Sequence, residues 1–273
     1  MTEQPEPGKA SFDWGWADDE MDWVPSDDVD ISKPSPARVY DYVLGGKDNY
    51  PVDRAAAARL MEVVPDYPVA ARANREFLAR AVQTMAESGV RQFLDLGTGI
   101  PTSPNVHEVA RTIHPDARIV YVDNDPIVMA HNRARRAVTP GILTVPHDLR
   151  EPAAVLGDPV VRAHLDFDQP IGLLVIAVLH FVRLDLAPAI VAAYRVALAP
   201  GSYLAISTGC RDGMDLETLR KAEEVAASLP YPIVARTMAE IEELFDGFEL
   251  LPPGLVDLHG GKARLMGGLA RLS

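Results

Sequence analysis

Residues able to bind a ligand or transfer a proton stand at the ends of four predicted strands. Gly97 and Gly99 follow the apolar run "FLDL", and Asp123 follows "RIVYV". Asp148 comes three residues after "ILTV", and His180 follows "LLVIAVL". The carboxyl ends of parallel strands meet at one edge of a sheet, so the sequence predicts that these residues share a crevice.

The glycine turn indicates a ligand without a phosphate group. A dinucleotide fingerprint requires a third glycine where this chain has Thr102, and the preceding Pro101 has no N–H for a pyrophosphate. No Gly-Lys-Ser/Thr triplet follows that would form a phosphate-binding P-loop. Asp123, which lies 24 residues after Gly99, is able to accept both hydroxyls of a ribose, and Asp148 is able to accept the amine of an adenine. Either acid alone would also suit the N-cap of a following helix.

Alternation of apolar runs with helical periods predicts an α/β fold with a doubly wound, Rossmann-like, mostly parallel sheet. The strand runs that alternate with helices are Gln92–Leu96, Arg118–Val122, Ile142–Val145, Ile171–Val178 and Ser202–Ser207. Helical runs are predicted near 105–113, 126–137, 152–165, 184–198, 214–228 and 237–245. Two further strand-like runs, Phe248–Leu251 and Leu265–Arg271, favour an antiparallel addition at one edge of the sheet.

The chain divides into three predicted parts. Residues 1–33 form an acidic arm, residues 34–90 a helical cap, and residues 91–273 a Rossmann-like cofactor-binding domain. The cap is predicted to contain three helices, from the runs "SPARVYDYVLGG", "VDRAAAARLMEVV" and "PVAARANREFLARAVQTMAESG". The arm carries all three tryptophans, so it either remains flexible or packs on the body or on a partner.

Charge and composition restrict the partners of the chain. The net charge is −13, of which residues 1–30 contribute −9, and the acidic balance argues against nucleic acid because phosphate binding requires clustered Lys and Arg. The single cysteine excludes an internal disulfide, and no apolar run is long enough to span a bilayer. The histidines have no metal-ligand spacing, so no metal is predicted. These features predict a cytoplasmic protein without a membrane partner and leave the oligomeric state open.

Taken together, the motifs resemble a known enzyme family. The strings "DLGTGIP", "VDNDP" and "HDLREP" are similar to those of class I S-adenosylmethionine-dependent methyltransferases. More closely, "PSPARVYDYVLGGKDNYPVDR", "ARANREFLARAV" and "DLGTGIPTSPNVHEVA" resemble one bacterial family of such enzymes whose substrates are mostly unassigned. The resemblance runs from about Ser35 to the carboxyl terminus. It implies a Rossmann-like methyltransferase fold with S-adenosylmethionine as the cofactor.

The resemblance also implies cofactor contacts at the ends of the first four strands. The implied contacts are Asp95, Gly97 and Gly99 on the methionine and ribose, Asp123 on the ribose, and Asp148 with Leu149 on the adenine. Asn124, which follows Asp123, and Ala177, which opens into the same cleft, are further candidate cofactor contacts. This cofactor carries a ribose diol, an adenine, a sulfonium and an amino-acid tail but no phosphate, which agrees with the character of the glycine turn.

Two candidate contacts lie in the predicted cap. Arg75 or Arg72, on the helix before the first strand, is able to bind the carboxylate of the cofactor, and the alternative is that both are surface charges. Gly45 and the glycine after it precede Lys47 and Asp48. This segment forms either a lid over the cofactor or a plain helix-terminating turn.

The acceptor side of the site is less constrained by the sequence. His180 is the candidate general base because it follows the fourth strand, and the alternative is a structural histidine packed beneath Phe181. Tyr42 and Tyr50, together with Tyr40, are candidates for shaping the acceptor site, although tyrosines at helical spacing more often serve packing.

Three functions are compatible with the sequence. The fourth strand ends in Ala-Val-Leu-His rather than the Asp/Asn-Pro-Pro-Tyr/Phe string of many enzymes that methylate base or amide nitrogens, which favours O- or C-methylation of a small molecule. The second function is a non-catalytic module that binds S-adenosylmethionine or its demethylated product. The third is a nicotinamide-dependent oxidoreductase, which Thr102 in the place of a glycine disfavours.

Overall fold

The computed structural model describes residues 30–135, 139–262 and 264–273. Most of the acidic arm, including its three tryptophans, therefore lies outside the described residues. No helix within the described ranges is long and apolar enough to span a membrane.

The described residues form a sheet of eight strands that is parallel over most of its width. The strands are β1 (Gln92–Leu96), β2 (Arg118–Val122), β3 (Ile142–Val145), β4 (Gly172–Ile176), β5 (Tyr203–Gly209), β6 (Glu249–Leu250), β7 (Val256–Asp257) and β8 (Leu265–Arg271). Their order is β3-β2-β1-β4-β5-β8-β6, and β7 also pairs with β8. The first five strands are parallel and β8 joins β5 in antiparallel register. The predicted doubly wound sheet with an antiparallel edge is confirmed.

Helices cover both faces of this sheet. They are α1 (Pro36–Val43), α2 (Pro51–Val63), α3 (Tyr67–Glu87), α4 (Val106–Arg111), α5 (Pro126–Arg135), α6 (Pro152–Gly157), α7 (Pro159–His164), α8 (Ala187–Val196), α9 (Leu216–Ala227) and α10 (Met238–Glu242). Two apolar clusters, each built from strand and helix residues, form the core. Strands β1 and β4 are buried at every position because both of their faces are covered.

Two elements differ from the sequence-based expectation. The helical run predicted near 152–165 is two helices, because Asp158 leaves the helical conformation and accepts a hydrogen bond from the Val160 N–H as the N-cap of α7. The fourth strand, predicted to reach Val178, ends at Ile176 because Ala177 adopts a positive φ of 51°.

A buried ion pair joins the first two helices of the cap. The Arg38 guanidinium lies 2.8 Å from the Asp53 carboxylate, and both side chains are almost completely buried. Asp53 also accepts hydrogen bonds from the backbone N–H groups of Ser35 and Tyr50, at 3.0 and 2.8 Å. The Asp53 carboxylate therefore ties the start of α2 to the residues at and before the start of α1. Helix α3 packs in the same apolar cluster as β1, and the domain boundary at residue 90 stays a prediction.

Candidate active site

A cavity of about 300 Å³ lies at the carboxyl edge of the parallel strands. The sheet reverses its winding between β1 and β4, which is where ligands bind in doubly wound folds. Eleven of the candidate residues line this cavity: Tyr40, Arg75, Asp95, Gly97, Gly99, Asp123, Asn124, Asp148, Leu149, Ala177 and His180.

The turn after β1 holds two glycines with positive φ, and at the first of them a side chain would also clash with a neighbour. Gly97 has a φ of 71°, and a Cβ at this position would lie 2.4 Å from Cγ2 of Val178. Gly99 has a φ of 63°, but a Cβ there would meet no atom within 4 Å. The Gly99 N–H donates to Oδ2 of Asp123 at 2.8 Å. The turn therefore brings bare backbone to the cavity wall and ties it to the end of β2.

The Asp123 carboxylate is buried in a way that disfavours its charged form. Burial raises the pKa of Asp123 to about 6, against the lowering effect of the Asp125 and Gly99 N–H donors, and nearby Asp125 and Asp95 raise it further. The Asp125 N–H donates to Oδ1 at 2.9 Å. A ligand that donates hydrogen bonds to this carboxylate would compensate for its lost hydration.

Asp148 lies in a different environment at the end of β3. Burial alone would raise the pKa of Asp148, but hydrogen bonds from Arg150 and Asn124 hold it below its usual value. The Arg150 Nε lies 3.0 Å from both carboxylate oxygens, and the Asn124 amide donates to Oδ2 at 3.0 Å. Asp148 is therefore a preorganised, ionised acceptor, with the buried Leu149 beside it.

A chain of buried hydrogen bonds fixes the end of β4. The Ala177 N–H donates to the backbone carbonyl and the hydroxyl of Ser207, at 3.0 and 2.9 Å. The Ser207 hydroxyl donates to Asn74 Oδ1 at 2.6 Å, and the Asn74 amide donates to the Tyr40 hydroxyl at 2.9 Å. Tyr40 in turn donates to the Ala71 carbonyl at 3.1 Å. These bonds connect β4 and β5 to the cap and hold Ala177 in its unusual conformation.

His180 lies in a short 3₁₀ turn at the cavity wall. Burial, with a contribution from Arg236, lowers the pKa of His180 to about 4, so the imidazole is neutral at neutral pH. Its Nδ1 is buried without a hydrogen-bond partner. The ring packs edge-on against Phe181 with centroids 4.3 Å apart. His180 therefore packs against Phe181 and also lines the cavity. The packing with Phe181 does not exclude a role of His180 in the site.

The side chain of Arg236 forms hydrogen bonds with the backbone of this turn. Its guanidinium is almost completely buried and donates to the carbonyls of Leu179 and Val182, at 2.8 and 2.9 Å. These carbonyls lie on either side of His180 and Phe181. The Val234 N–H also donates to the His180 carbonyl at 2.8 Å. Arg236 was not predicted from the sequence, because a single arginine far along the chain carries no local signal.

Arg75, rather than Arg72, reaches the cavity. Its Nη2 donates to the Thr102 and Pro104 carbonyls, at 2.7 and 2.5 Å, and its Nε is buried without a partner. Arg72 is exposed on the same helix. A buried guanidinium N–H without a partner matches the requirement of a ligand carboxylate.

Three predicted residues do not line the cavity. Tyr42 packs against the apolar cluster of the cap helices, and Tyr50 packs against the cluster around Ile100. Gly45 is exposed with a φ of 85° at the end of α1, as a helix-terminating turn requires. The glycine after it would place a Cβ 2.0 Å from Oδ1 of Asp41, so the second glycine of the pair serves close packing.

Several cavity residues had no signal in the sequence. Tyr67 begins α3, and Tyr231 lies in the loop after α9, yet both line the cavity with Phe181. Asn74 is buried on α3 within an otherwise ordinary amphipathic pattern. Only the three-dimensional path of the chain brings these side chains together.

The cavity fits an adenosyl sulfonium better than a dinucleotide. Its wall carries the carboxylates of Asp95, Asp123, Asp125 and Asp148, which would repel a pyrophosphate and attract a cation. The unpartnered Nε of Arg75 and the open approach over Gly99 suit the amino-acid tail and the ribose. Among the described residues, no group of three or more His, Cys, Asp or Glu side chains is arranged to hold a metal ion.

The solved structures similar to this chain include two that are about 40% identical to it. A candidate methyltransferase from Thermobifida fusca YX is 39% identical, with a TM-score of 0.85 over 92% of this chain and 99% of that one. A DUF574 family protein from Streptomyces avermitilis MA-4680 is 41% identical, with a TM-score of 0.84 over 89% and 99% of the two chains. Comparison with the curated proteins gives no match.

The family comparison agrees with the geometry of the cavity. Residues 22–264 match the family described as S-adenosyl methyltransferase, a range that covers the cap, every strand except β8 and the whole cavity wall. The family match and the two similar structures each cover most of the chain, so together they establish its family. The chain belongs to the S-adenosyl methyltransferase family and is an S-adenosylmethionine-dependent methyltransferase.

Proposed function

We propose that the chain methylates an oxygen or carbon atom of a small-molecule acceptor that binds beside the cofactor in the cavity. The observation that carries this proposal is His180, a neutral imidazole at the end of β4 whose Nδ1 has no hydrogen-bond partner. The residue stands at the position of the final Tyr/Phe in the Asp/Asn-Pro-Pro-Tyr/Phe string of many nitrogen-methylating enzymes, which this chain lacks.

The cofactor would be held by residues from four strands and the cap. Asp123 would accept the ribose hydroxyls, and Asp148 with Leu149 would contact the adenine. Arg75 would bind the carboxylate through its unpartnered Nε, while Gly97 and Gly99 allow close approach of the backbone. A property of the ligand-free protein supports each contact. Asp123 is desolvated, Asp148 is held ionised by its hydrogen bonds, Arg75 has an N–H without a partner, and a Cβ at Gly99 would meet no atom within 4 Å.

When bound, the cofactor supplies a methyl group already activated by the sulfonium. The protein then needs to align the acceptor, exclude water and manage one proton. The Ala177–Ser207–Asn74 hydrogen bonds keep the end of β4 in place, and Arg236 keeps the His180 turn in place. The strand end and the turn together form a rigid wall against which an acceptor is aligned.

His180 would receive a hydrogen bond from the acceptor hydroxyl. With a pKa of about 4, its imidazole remains unprotonated at neutral pH and keeps one ring nitrogen able to accept. The low pKa makes it a weak base that orients the hydroxyl and takes up the proton late in the reaction. An ammonium acceptor would instead lie beside a site that disfavours positive charge.

Native mass spectrometry of the purified protein tests this function, followed by an assay of S-adenosylhomocysteine release with candidate acceptors. We expect a co-purified cofactor and turnover with a hydroxyl or carbon acceptor. The His180→Ala variant should keep its affinity for S-adenosylhomocysteine within about threefold and lose about 10²-fold or more in turnover. A protein that binds the cofactor but methylates only amines, or nothing in a broad acceptor panel, would contradict the proposal.

A further inference from the structure

Aromatic rings from three separate segments surround the part of the cavity next to the end of β4. Phe181 packs edge-on against Tyr231, with ring centroids 5.6 Å apart, and against His180 on its other side. Tyr67, at the start of α3, lines the same cavity and packs on the same cap cluster as Tyr231. We call these four rings the aromatic wall; two of them follow β4, whereas Asp148 follows β3, which β2 and β1 separate from β4 in the sheet.

The aromatic wall carries polar atoms that the protein does not use. Nδ1 of His180 has no partner, and no hydrogen bond within the described residues reaches the hydroxyl of Tyr67 or Tyr231. Tyr40, in contrast, lines the cavity with a hydroxyl that is fully engaged by Asn74 and Ala71. Tyr67 and Tyr231 are only partly buried, line the cavity and are not among the residues with a buried unpartnered atom, so their solvent-accessible hydroxyls are candidates for a ligand contact.

The surroundings of the aromatic wall disfavour charge of either sign. Burial lowers the pKa of His180, which shows that a cation is penalised there. Burial also raises the pKa of Tyr67 and raises that of Tyr231 to about 12, which shows that an anion is penalised as well. The nearby Asp41 carboxylate already accepts the Asp48 N–H and the Asn49 amide, at 2.9 and 2.8 Å.

The size of the cavity limits the acceptor further. A volume of about 300 Å³ is at the lower end of the range for small-molecule sites, and the acceptor must share this space with the cofactor. The rings of Phe181 and Tyr231 offer edge and face contacts that suit another flat ring. A compact ring system therefore suits this space better than an extended molecule.

We propose that the acceptor is a flat, uncharged aromatic compound with a hydroxyl group, bound against Phe181 and hydrogen-bonded to Tyr67, Tyr231 and His180. This inference rests on the proposed function and gives it a substrate class. The ring would stack within the aromatic wall, and the hydroxyl would reach the polar atoms that lack partners in the protein. The Arg236 guanidinium, whose charge acts on His180, already donates to two backbone carbonyls, so neither an ammonium nor a carboxylate acceptor would find a free counter-charge there.

Titration calorimetry with three matched probes tests the inference on the full-length protein saturated with S-adenosylhomocysteine. The probes are 2-naphthol, 2-naphthylmethylammonium and 2-naphthoate, which share one ring system and differ in charge. We expect 2-naphthol to bind at least tenfold more tightly than either ion. Equal or tighter binding of an ion, or no binding of 2-naphthol to the saturated protein, would overturn the inference.

Variants locate the binding and separate the two proposals. Tyr231→Phe and Tyr67→Phe should each weaken 2-naphthol by about threefold or more, since each removes one hydroxyl contact. Tyr42→Phe and Tyr50→Phe, which lie outside the cavity, are the controls and should bind as the unmodified protein does. Unchanged binding in both cavity variants would overturn the inference, while failure of S-adenosylhomocysteine to bind would contradict the proposed function itself.

Discussion

The Gly99 N–H donates a hydrogen bond of 2.8 Å to Oδ2 of Asp123, and this bond joins the turn after β1 to the end of β2. The two residues stand 24 positions apart, and both line the cavity. The bond leaves the carboxylate positioned by backbone donors but still desolvated, with a pKa raised to about 6. The protein therefore holds a partly desolvated acid at the cavity wall, to which a ligand could donate hydrogen bonds.

The stability of the ligand-free protein should reflect this acid. Because the folded-state pKa of Asp123 is about 6 against an ordinary value of 3.8, the folded protein binds more protons than the unfolded chain between these values. Its contribution to the free energy of unfolding therefore falls as pH rises from about 4 to about 6. We expect the Asp123→Asn variant to gain stability relative to the unmodified protein across this window, as measured by urea unfolding at pH 4 and pH 7. A constant difference would show that Asp123 titrates normally.

Gly99 and Gly89 form a matched pair for testing the approach of the ligand. Both have positive φ angles, of 63° and 95°, and a Cβ at either position meets no atom within 4 Å. Alanine at either site should cost about 1–2 kcal/mol of stability. Only Gly99→Ala places its methyl group at the cavity wall, so it should also weaken S-adenosylhomocysteine at least tenfold by calorimetry. Equal affinity in both variants would mean that the ligand does not pass over Gly99.

Arg75 can be tested with two ligands that differ in the amino-acid tail. Arg75→Ala should weaken S-adenosylhomocysteine by roughly tenfold to a hundredfold, because a charged hydrogen bond to the carboxylate is lost. It should leave 5′-methylthioadenosine, which lacks that carboxylate, within about twofold. Arg72→Ala, on the exposed face of the same helix, is the control. A parallel loss for both ligands would assign Arg75 a structural role in holding the Thr102 loop.

Arg236 should matter for folding as well as for the site. Arg236→Met removes the donors to the Leu179 and Val182 carbonyls, and we expect the free energy of unfolding to fall by about 2–4 kcal/mol. Arg211→Met is the control, since its guanidinium makes a partly exposed contact with Glu240 at 3.4 Å and should change stability by less than about 1 kcal/mol. Equal losses in denaturant unfolding would contradict the support assigned to Arg236.

The sequence predicted the sheet and its acidic edge well for identifiable reasons. Continuous apolar runs that end in glycine or carboxylate marked the parallel strands, since strands buried on both faces are apolar throughout. Asp123 and Asp148 could be placed together because the carboxyl ends of neighbouring strands converge. These are local signals combined with one topological rule.

The acceptor end could not be predicted in the same way. Tyr40 and Tyr42 stand two positions apart on α1, and the helical period turns them to different sides, so Tyr40 lines the cavity while Tyr42 packs in the cap. Tyr231 and Arg236 arrive from a loop that docks on the His180 turn through the Val234 N–H. Contacts between residues so far apart in the chain produce no periodic pattern in the sequence, so they could not be predicted from it.

The central claim is that Asp123, at the end of β2, accepts hydrogen bonds from the ribose hydroxyls of S-adenosylmethionine. Calorimetric titration of S-adenosylhomocysteine into the unmodified protein and into Asp123→Ala at neutral pH tests it most directly. The claim predicts one bound ligand and a loss of roughly tenfold to a hundredfold in affinity for the variant, equivalent to about 1.5–3 kcal/mol. Identical affinity in the two proteins would contradict it.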